Sequence, residues 1–337
     1  DSNEIELEIV GSIAAGTDPD FELQDGQCAK IMTGAPMPKG ADAVVMVEWT
    51  SANTAGGTVL ISRSVKEGDH IRRSGEDLQV GDRVVGAGTL LTPAHIGLLA
   101  GIGVYQVNVV QRPVVGVFST GDELVEGNEP LRPGQIRDSN RFSLLALLER
   151  DGFKTVDLGL ISDNKEAIES TVLKGVEKCD ALLTTGGVSM GDYDYVKVVL
   201  DEIGDMRWMQ IAIKPAKPFA FGIVQNVPVF GLPGNPVSSM VSYLLLAKPA
   251  LHKMMGLDSV FPSYSLGEAG EDFHRRVDGK THFVRAFLER STDKSLIHPV
   301  GKQGSHQLSG MAEADTLAVV PDGEGIPKGS SIEYFRY

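Results

Sequence analysis

Cysteine and clustered histidine are scarce in this sequence. Its 337 residues include only two cysteines, Cys28 and Cys179, which lie far apart and outside any CxxC pair. We therefore expect reduced, buried thiols in a cytoplasmic protein and no disulfide framework. The seven histidines are scattered, so the sequence contains no His/Cys cluster that would indicate a zinc site.

Long apolar runs and an excess of positive charge are also missing. No apolar segment is long enough to cross a bilayer, and the acidic first residues lack the basic and then apolar pattern of a signal peptide. The formal net charge of −14 argues against a nucleic-acid partner. We expect neither a membrane nor a nucleic acid as partner. An anionic ligand would need lysines, arginines, backbone N–H groups or a metal ion close to it.

The first third of the chain is rich in short strands and glycine turns. Residues 1–74 are predicted to form a β-rich domain, and residues 75–111 a connector with a short helix that begins at Pro93. Strands of the β-rich domain are predicted at Glu4–Val10, Ala41–Trp49 and Thr58–Arg63, and a glycine turn at Thr54–Gly57 separates the last two.

From residue 112 onward, strands alternate with helices. Pro113–Thr120 is a continuous apolar run, typical of a strand buried on both faces of a parallel sheet. The alternation predicts an α/β fold class, in which residues 112–256 form a mostly parallel sheet covered by helices on both faces. Residues 257–337 return to short strands and predict a small, barrel-like all-β domain. The helices of the α/β region are predicted at 139–152, 164–179, 193–204 and 235–256.

Three turns with unusual residues follow strands of the predicted sheet. They are STGDEL (Ser119–Leu124), TTGGVSMGDYD (Thr184–Asp194) and GLPGNP (Gly231–Pro236). Singly, each has a structural explanation: a polar turn, a glycine pair that permits positive φ, and a helix start with Asn235 as N-cap and Pro236 as first residue. Because ligands bind beyond the carboxyl ends of parallel strands, we expect all three turns on one edge. Glycine turns that open helices expose backbone N–H groups, so together they favour a phosphate or oxyanion site.

Charged residues accompany these turns. Lys214 and Lys217 stand beside prolines that would hold their ammonium groups in place for an anion, although lysine stems lying along a sheet edge are an alternative explanation. Four carboxylates near these turns would repel an anion unless a cation lay between them and the anion. They belong to Asp122, Glu123, Asp192 and Asp194. The sequence therefore predicts Mg²⁺ bridging to a phosphate or oxyanion. The predicted ligands of that ion are Glu123, Asp192 and Asp194.

The motifs together resemble the molybdopterin molybdenumtransferases, the MoeA and gephyrin E-domain family. The resemblance covers nearly the whole chain in collinear order, and a sister group, the molybdopterin adenylyltransferases, typically has TGGTG where this chain has TGGVS (Thr185–Ser189). The sister group also lacks the flanking β-rich parts. The segments that carry the resemblance are AKIMTGAPMPKGADAVVMVE, HIRRSGEDLQVGD, VGVFSTGDELV, GQIRDSN, LLTTGGVSMGDYDYV, IAIKPAKPFAFG and VFGLPGNPVSS.

The resemblance implies an enzyme of molybdenum cofactor biosynthesis. With Mg²⁺, it would insert molybdenum from molybdate into adenylylated molybdopterin and release AMP. It would form an elongated homodimer whose cleft also takes residues from the β-rich domain of the second copy, and an adenylyltransferase and molybdoenzymes are conceivable partners. Two other functions stay open: adenylyl transfer to the pterin, and a gephyrin-like scaffold that binds receptor segments.

Site residues are assigned by matching motifs to the family and by the turns described above. The implied catalytic residues are Glu123, Asp194, Asp77, Lys214 and Asp163. The implied cofactor-binding residues are Thr33, Gly121, Asp122, Gly186, Gly187, Ser189, Lys217, Pro233, Gly234, Asn235, Pro236, Arg285 and Ser305. Arg285 lies in THFVRAFL, which resembles the family segment GR-x-x-F-x-R with Lys280 in place of its first arginine.

Some of these residues also have a structural interpretation. With Glu166 three residues later, Asp163 would form a capping box for the helix that begins at Asn164, and we favour that role over catalysis. Asp77 lies in a glycine-bounded turn that needs no ligand. A family motif of the type SAMDGYA, whose aspartate is thought to act in the site, usually stands upstream of the position of Asp1. Either the sequence is a truncated form or the motif has been lost, and only a true loss would put activity in doubt, although binding could survive.

Overall fold

The computed structural model describes residues 4–53, 56–188, 194–291 and 294–337. The chain divides into two compact units, residues 1–84 and 85–337. Within the described ranges, no helix combines the length and apolar character needed to cross a membrane.

The first unit is built on a four-stranded sheet. Its strands are β1 (Ile5–Ile13), β2 (Gln27–Ile31), β3 (Thr50–Asn53) and β4 (Thr58–Ile61). Their order is β2–β1–β4–β3, with β1 parallel to β2 and antiparallel to β4. Along β1, exposed and half-buried residues alternate for most of its length, which is the pattern of a strand with one face toward the interior. The predicted β-rich character of this region is confirmed.

The strand predicted at Ala41–Trp49 is wrong. Residues 41–46 have no regular secondary structure, and Val47–Trp49 form a short 3₁₀ turn. The apolar run has no strand to pair with, because β4 pairs instead with the residues that follow it, Thr50–Asn53. Strand propensity depends on such cross-strand packing more than on the run itself. The predicted turn after β3 contains Gly56 and Gly57, while residues 54 and 55 lie outside the described ranges.

The second unit begins with helix α1 (Pro93–Gly101), which starts at the predicted proline. Thr92 caps it reciprocally: its hydroxyl accepts a hydrogen bond from the His95 amide at 3.5 Å, and His95 Nδ1 accepts one from the Thr92 amide at 3.1 Å. The residues after the helix, 102–110, are all exposed.

A six-stranded sheet with flanking helices forms the centre of the second unit. In chain order the elements are β5 (Val114–Thr120), β6 (Leu124–Val125), β7 (Ile136–Arg137), α2 (Asn140–Arg150), β8 (Lys154–Ile161), α3 (Lys165–Val176), β9 (Ala181–Thr185), α4 (Tyr195–Ile203), β10 (Asp205–Gln210), β11 (Ile213–Lys214), β12 (Pro218–Val224), β13 (Val227–Leu232), α5 (Pro236–Ser242) and α6 (Lys248–Met254). A π-helical segment, Tyr243–Ala247, joins α5 to α6.

The strand order of this sheet is β10–β12–β13–β9–β5–β8. Strands β13, β9, β5 and β8 are parallel. Strand β12 is antiparallel to both its neighbours, so β10 runs in the same direction as β13. Buried apolar residues from β5 and β9 face helices α2 and α5 on one side and helices α3 and α4 on the other. The prediction of a mostly parallel sheet between two helical layers is confirmed.

The last part of the chain forms a closed β structure. Its elements are β14 (Ser265–Ala269), β15 (Phe273–His274), β16 (Thr281–Arg290), β17 (Ser295–Pro299), α7 (Leu308–Glu313), β18 (Thr316–Val320), β19 (Gly325–Ile326) and β20 (Ser331–Arg336). The order β16–β17–β14–β20–β18 closes into a five-stranded barrel, because β18 also pairs with β16. Strand β11 pairs with the first residues of β16 from outside the ring. The predicted barrel-like domain is confirmed.

Candidate active site

The three glycine-containing turns lie at one edge of the central sheet. They follow β5, β9 and β13, which are neighbours and parallel, so their carboxyl ends point the same way. The Gly186 amide donates a hydrogen bond of 3.2 Å to the carbonyl of Leu232, which joins the second turn to the end of β13. The expectation that the turns share an edge is confirmed.

Glycine is needed where these turns approach each other. Gly186 has φ +90°, and a Cβ atom there would lie 2.6 Å from the carbonyl oxygen of Thr120, the last residue of β5. Gly187 has φ +68°, and its Cβ would lie 2.4 Å from a Val196 methyl and 2.9 Å from the Asp194 carboxylate. The left-handed conformation and the close contacts both exclude a side chain. The backbone of the second turn is therefore packed directly against its neighbours.

Carboxylates gather beyond β5 and β8. Asp122 and Glu123 are exposed, while Asp163, after β8, is half-buried and accepts a hydrogen bond of 3.3 Å from the Thr120 hydroxyl. Burial is the main effect that raises the pKa of the Asp163 carboxyl, and the charges of Asp122 and Glu123 raise this pKa further against the lowering effect of the Thr120 bond. Mutual repulsion of this kind favours a cation or a proton at this end of the edge.

Asp163 does not cap helix α3, so our structural interpretation of this residue was wrong. The N-cap is Asn164, whose side-chain oxygen accepts a hydrogen bond of 2.9 Å from the Ala167 amide. Both Asp163 and Asn164 are good capping residues, and the sequence pattern does not distinguish between two adjacent ones. The capping position taken by Asn164 leaves the Asp163 carboxylate at the edge of the sheet, next to Thr120.

The second turn contributes Asp194, which is the N-cap of α4 and accepts a hydrogen bond of 3.4 Å from the Lys197 amide. Two predicted site residues of this turn, Ser189 and Asp192, lie outside the described residues. In the part of the chain that is described, no group of three or more His, Cys, Asp or Glu side chains is arranged to hold a metal ion. The magnesium ligands therefore stay a prediction.

Lys214 and Lys217 lie in the segment that leaves β10 and enters β12. The amide of Ile211 bonds to the carbonyl of Lys217 at 2.7 Å, so both ends of this segment lie at the same edge of the sheet as the glycine turns. Both lysines are exposed, and among the described residues no carboxylate lies within 4.0 Å of either ammonium group. Two positive charges without a carboxylate partner among the described residues thus stand at the end of the edge opposite to Asp163.

The third turn opens helix α5 as predicted, with Asn235 as N-cap and Pro236 as the first helical residue. The Asn235 side chain makes no capping hydrogen bond; instead the Val237 amide donates one of 3.1 Å to the carbonyl of Ser305. Arg285 is 1% exposed and donates a hydrogen bond of 3.0 Å from Nη1 to the carbonyl of Gly304. The structure therefore brings Arg285 and Ser305 to the start of α5.

Two predicted site residues belong to the first unit. Thr33 is exposed in the turn after β2, and Asp77 is exposed in a bend between Gly75 and Gly81. Their roles in a site stay predictions.

Sequence reasoning did not select Thr120 or Asn140. Thr120 ends β5 and bonds to Asp163, and Asn140 bonds to both the second and the third turn. The segment GQIRDSN contains Asn140 and is one of the motifs that carry the family resemblance. No local pattern indicates, however, that the first residue of α2 lies next to β9 and β13.

Charge changes sign along the edge. In the order of the strands it carries Lys214 and Lys217, then the GLPGNP turn, then the TTGG turn with the Asp194 carboxylate next to Gly187, and finally the carboxylates of Asp122, Glu123 and Asp163. Adjacent strands are about 4.8 Å apart, so β12 and β5, three steps from each other, are separated by roughly 15 Å. An elongated ligand can therefore meet lysines at one end, backbone N–H groups in the middle and acidic groups at the other end.

Models of protein families match the chain in three consecutive regions. The MoeA N-terminal region (domain I and II) matches residues 2–103, a probable molybdopterin binding domain matches residues 116–253, and the MoeA C-terminal region (domain IV) matches residues 268–336. The second region contains the sheet edge described above.

Individual relatives align over almost the full chain. The molybdopterin molybdenumtransferase of Haemophilus influenzae is 38% identical over 321 residues, covering 95% of this chain and 79% of that protein. That of Bacillus subtilis is 34% identical over 335 residues, covering 98% and 78%. A crystal structure of the molybdopterin biosynthesis MoeA protein from Pyrococcus horikoshii superposes with a TM-score of 0.81 at 28% identity, covering 99% of this chain and 82% of that one. Fold, motifs and full-length similarity agree that this chain belongs to the MoeA family of molybdopterin molybdenumtransferases.

Proposed function

We propose that the sheet edge inserts molybdenum from molybdate into adenylylated molybdopterin in a Mg²⁺-dependent reaction that releases AMP. The observation that carries this proposal is the order of charges along the edge, from two exposed lysines through two glycine turns to crowded carboxylates. Adenylylated molybdopterin is elongated and anionic through its phosphates, and molybdate is a dianion. Both substrates therefore match the positive end and the middle of the edge.

The binding groups are the lysines and the backbone. Lys214 and Lys217 would neutralise phosphate or molybdate oxygens, since no carboxylate of the described residues neutralises them. The Gly187 amide and the exposed Gly234–Asn235 turn would present N–H groups to a phosphate, whereas the Gly186 amide already donates to the Leu232 carbonyl. Pro233 and Pro236 stiffen the third turn on either side of its exposed residues. Ser305 and Arg285 hold the first turn of α5 in place through the Val237 and Gly304 bonds.

The acidic end suits Mg²⁺, which prefers carboxylate oxygens together with substrate oxygens. The fit is supported by Asp163, whose pKa is raised by burial and by the charges of Asp122 and Glu123, because a cation would relieve that repulsion. Glu123, Asp192 and Asp194 would hold the ion. When bound, it would offset the negative charge of the phosphate oxygens.

Asp163 is placed to handle a proton. Burial, the main effect that raises the pKa of Asp163, would persist beside a bound cation and makes this carboxylate a better base than an exposed one at neutral pH. The Thr120 hydroxyl fixes its orientation. We assign Asp163 to accept a proton from the water that attacks the adenylate phosphate. This step would break the bridging P–O bond, so that AMP carries the attacked phosphorus and the pterin phosphate leaves. Lys214, at the other end of the edge, would neutralise phosphate or molybdate oxygens of the bound substrates.

We also infer a homodimer. The segment after α1 presents exposed apolar side chains: Tyr105 is 83% exposed, Val109 67%, Val110 57% and Val107 45%. An apolar row of this length on the surface of a protein of net charge −14 is typical of an interface. A second copy of the chain would bury it.

The test is nucleotide analysis by chromatography. The protein should release AMP from adenylylated molybdopterin only when molybdate and Mg²⁺ are both present. An adenylyltransferase would consume ATP instead, and a scaffold would bind a peptide and release no AMP. Glu123→Gln, which removes one charge at the acidic end, should abolish Mg²⁺-dependent release. Glu177→Gln makes the same change at the exposed C-terminal end of α3 and should leave release unchanged.

A further inference from the structure

Asn140 links two of the three turns through one side chain. It is the first residue of α2, and its Nδ2 donates hydrogen bonds of 2.8 Å to the Thr185 hydroxyl and 2.7 Å to the carbonyl of Gly234. Thr185 is the last residue of β9, and Gly234 lies in the GLPGNP turn. The two hydrogens of a single amide group therefore connect the turn after β9 with the turn after β13.

The Thr185 end of this link is buried and carries further bonds. Thr185 is 1% exposed, and its hydroxyl also donates to the carbonyl of Pro233 at 3.3 Å and accepts from the Ser239 hydroxyl at 3.4 Å. The parallel pairing of β9 with β13 extends to the pair Thr185–Leu232, and a backbone bond from the Gly186 amide to the Leu232 carbonyl continues it into the two turns. Beyond the last pair of the strand ladder, the bond from Asn140 to the Gly234 carbonyl adds a link to the exposed part of the third turn.

The start of α2 is also hydrogen-bonded to the end of β5, where the first turn begins. The buried carboxylate of Asp138 accepts a hydrogen bond from the Ser119 hydroxyl in β5 and one of 3.0 Å from Arg141 Nε. Asp138 and Arg141 are almost fully buried, so this pair is shielded from solvent. The three residues 138–140 therefore contact all three site turns, and Asn140 is held on a rigid base.

We propose that Asn140 is a positioning residue: its amide sets the separation of the TTGG and GLPGNP turns, so that one anionic ligand can reach the backbone N–H groups of both. The geometric part stands on the contacts alone, and the effect on the reaction rests on the proposed function. Both partners of Nδ2 are oxygen atoms, so the position needs a neutral group with two hydrogens to donate. An aspartate of the same size would place a charged oxygen against the Gly234 carbonyl, next to the anion.

The first experiment measures the link without reference to the reaction. Hydrogen exchange of the Gly186 amide reports on the bond between the two corners. Asn140→Ala and the equally sized Asn140→Asp should each speed this exchange by about tenfold, because both bonds that Nδ2 donates are lost. The control, Asn164→Ala, removes the capping bond of α3 in the same unit and should leave exchange at Gly186 unchanged. Equal exchange in Asn140→Ala and in the unsubstituted protein would overturn the proposal.

The second experiment measures the effect on catalysis with adenylylated molybdopterin. Asn140→Ala should raise KM by about tenfold while kcat changes by less than about threefold, because binding across both turns is weakened. Combined with Thr185→Val, the effects on KM should be far from additive, since both changes break the same link. Additive effects would contradict a role through Thr185. If the unsubstituted protein released no AMP, the proposed function would fail, whereas hydrogen exchange would still decide the role of Asn140.

Discussion

Replacing Gly186 by alanine would disturb the contact between the end of β5 and the turn after β9. A methyl group at this position would lie 2.6 Å from the carbonyl oxygen of Thr120, and an ordinary contact begins near 3.4 Å. The carbonyl would therefore have to move by about 0.8 Å, or the turn after β9 would have to shift by that amount. Since the Thr120 hydroxyl orients Asp163, either movement disturbs the acidic end of the site.

Two separate costs are expected for Gly186→Ala. An alanine at φ +90° costs about 1–3 kcal/mol in backbone strain, and the forced contact adds about 1–3 kcal/mol more. Gly159→Ala isolates the first cost, because Gly159 also has φ +90° but no atom lies within 4 Å of the added methyl group. The difference in the free energy of unfolding between the two variants, measured by urea denaturation, gives the cost of the contact.

The rate of AMP release should depend on the forced contact with Thr120 and not on the backbone strain at the substituted glycine. A displacement approaching 1 Å in a reacting site can cost about a hundredfold in rate, so AMP release by Gly186→Ala should fall by up to that factor, and Gly159→Ala should release AMP normally. Steady-state assays of both variants at saturating Mg²⁺ test this expectation. If Gly186→Ala were as stable as Gly159→Ala and equally active, the two corners would not be packed as described.

Three further outcomes are expected. Asp163→Asn should flatten the dependence of the free energy of unfolding on pH. Because the pKa of Asp163 is raised, its protonation favours the folded state; this contribution is present below the ordinary pKa of 3.8 and is lost as the pH rises through the raised value. An unchanged pH dependence in urea titrations would contradict the assignment. Lys214→Ala should weaken molybdate binding, measured by calorimetry, by about tenfold. It should shift the Tm by less than about 2 °C, because the side chain is exposed. A variant that melts early but binds normally would favour the alternative that the lysine only lies along the sheet edge. Val107→Asp should convert a dimer to a monomer in sedimentation velocity, and a dimer that persists would place the interface elsewhere.

Local signals with a strong stereochemical cause were predicted well. Pro93 and Pro236 begin helices α1 and α5 because proline fits the first helical position. The apolar run that became β5 indicated a strand buried on both faces, and Val115, Val117 and Phe118 are fully buried in it. The shared edge of the three turns followed from the alternation of strands and helices.

Features that depend on distant partners were not predictable. The reversal between β12 and β13 is made by Gln225 and Asn226, both with positive φ, in a two-residue turn without the glycine that usually marks it. Asn164 takes the capping position that Asp163 was expected to fill, and the residue types alone do not distinguish these two neighbours. The links from Asn140 to Thr185 and from Val237 to Ser305 join residues at least 45 positions apart.

The pairing of β11 with β16 has a consequence for the autonomy of the C-terminal barrel. Ile213 and Lys214 supply a strand to that barrel from the middle of the preceding α/β region, two residues after β10 ends. A fragment that starts at residue 257 would leave the first residues of β16 with an unpaired backbone edge, the kind of surface on which chains aggregate. Truncated chains meant to produce the barrel in isolation should therefore include a strand that pairs with this edge. Any hinge motion of the barrel relative to the central sheet would also move Lys214.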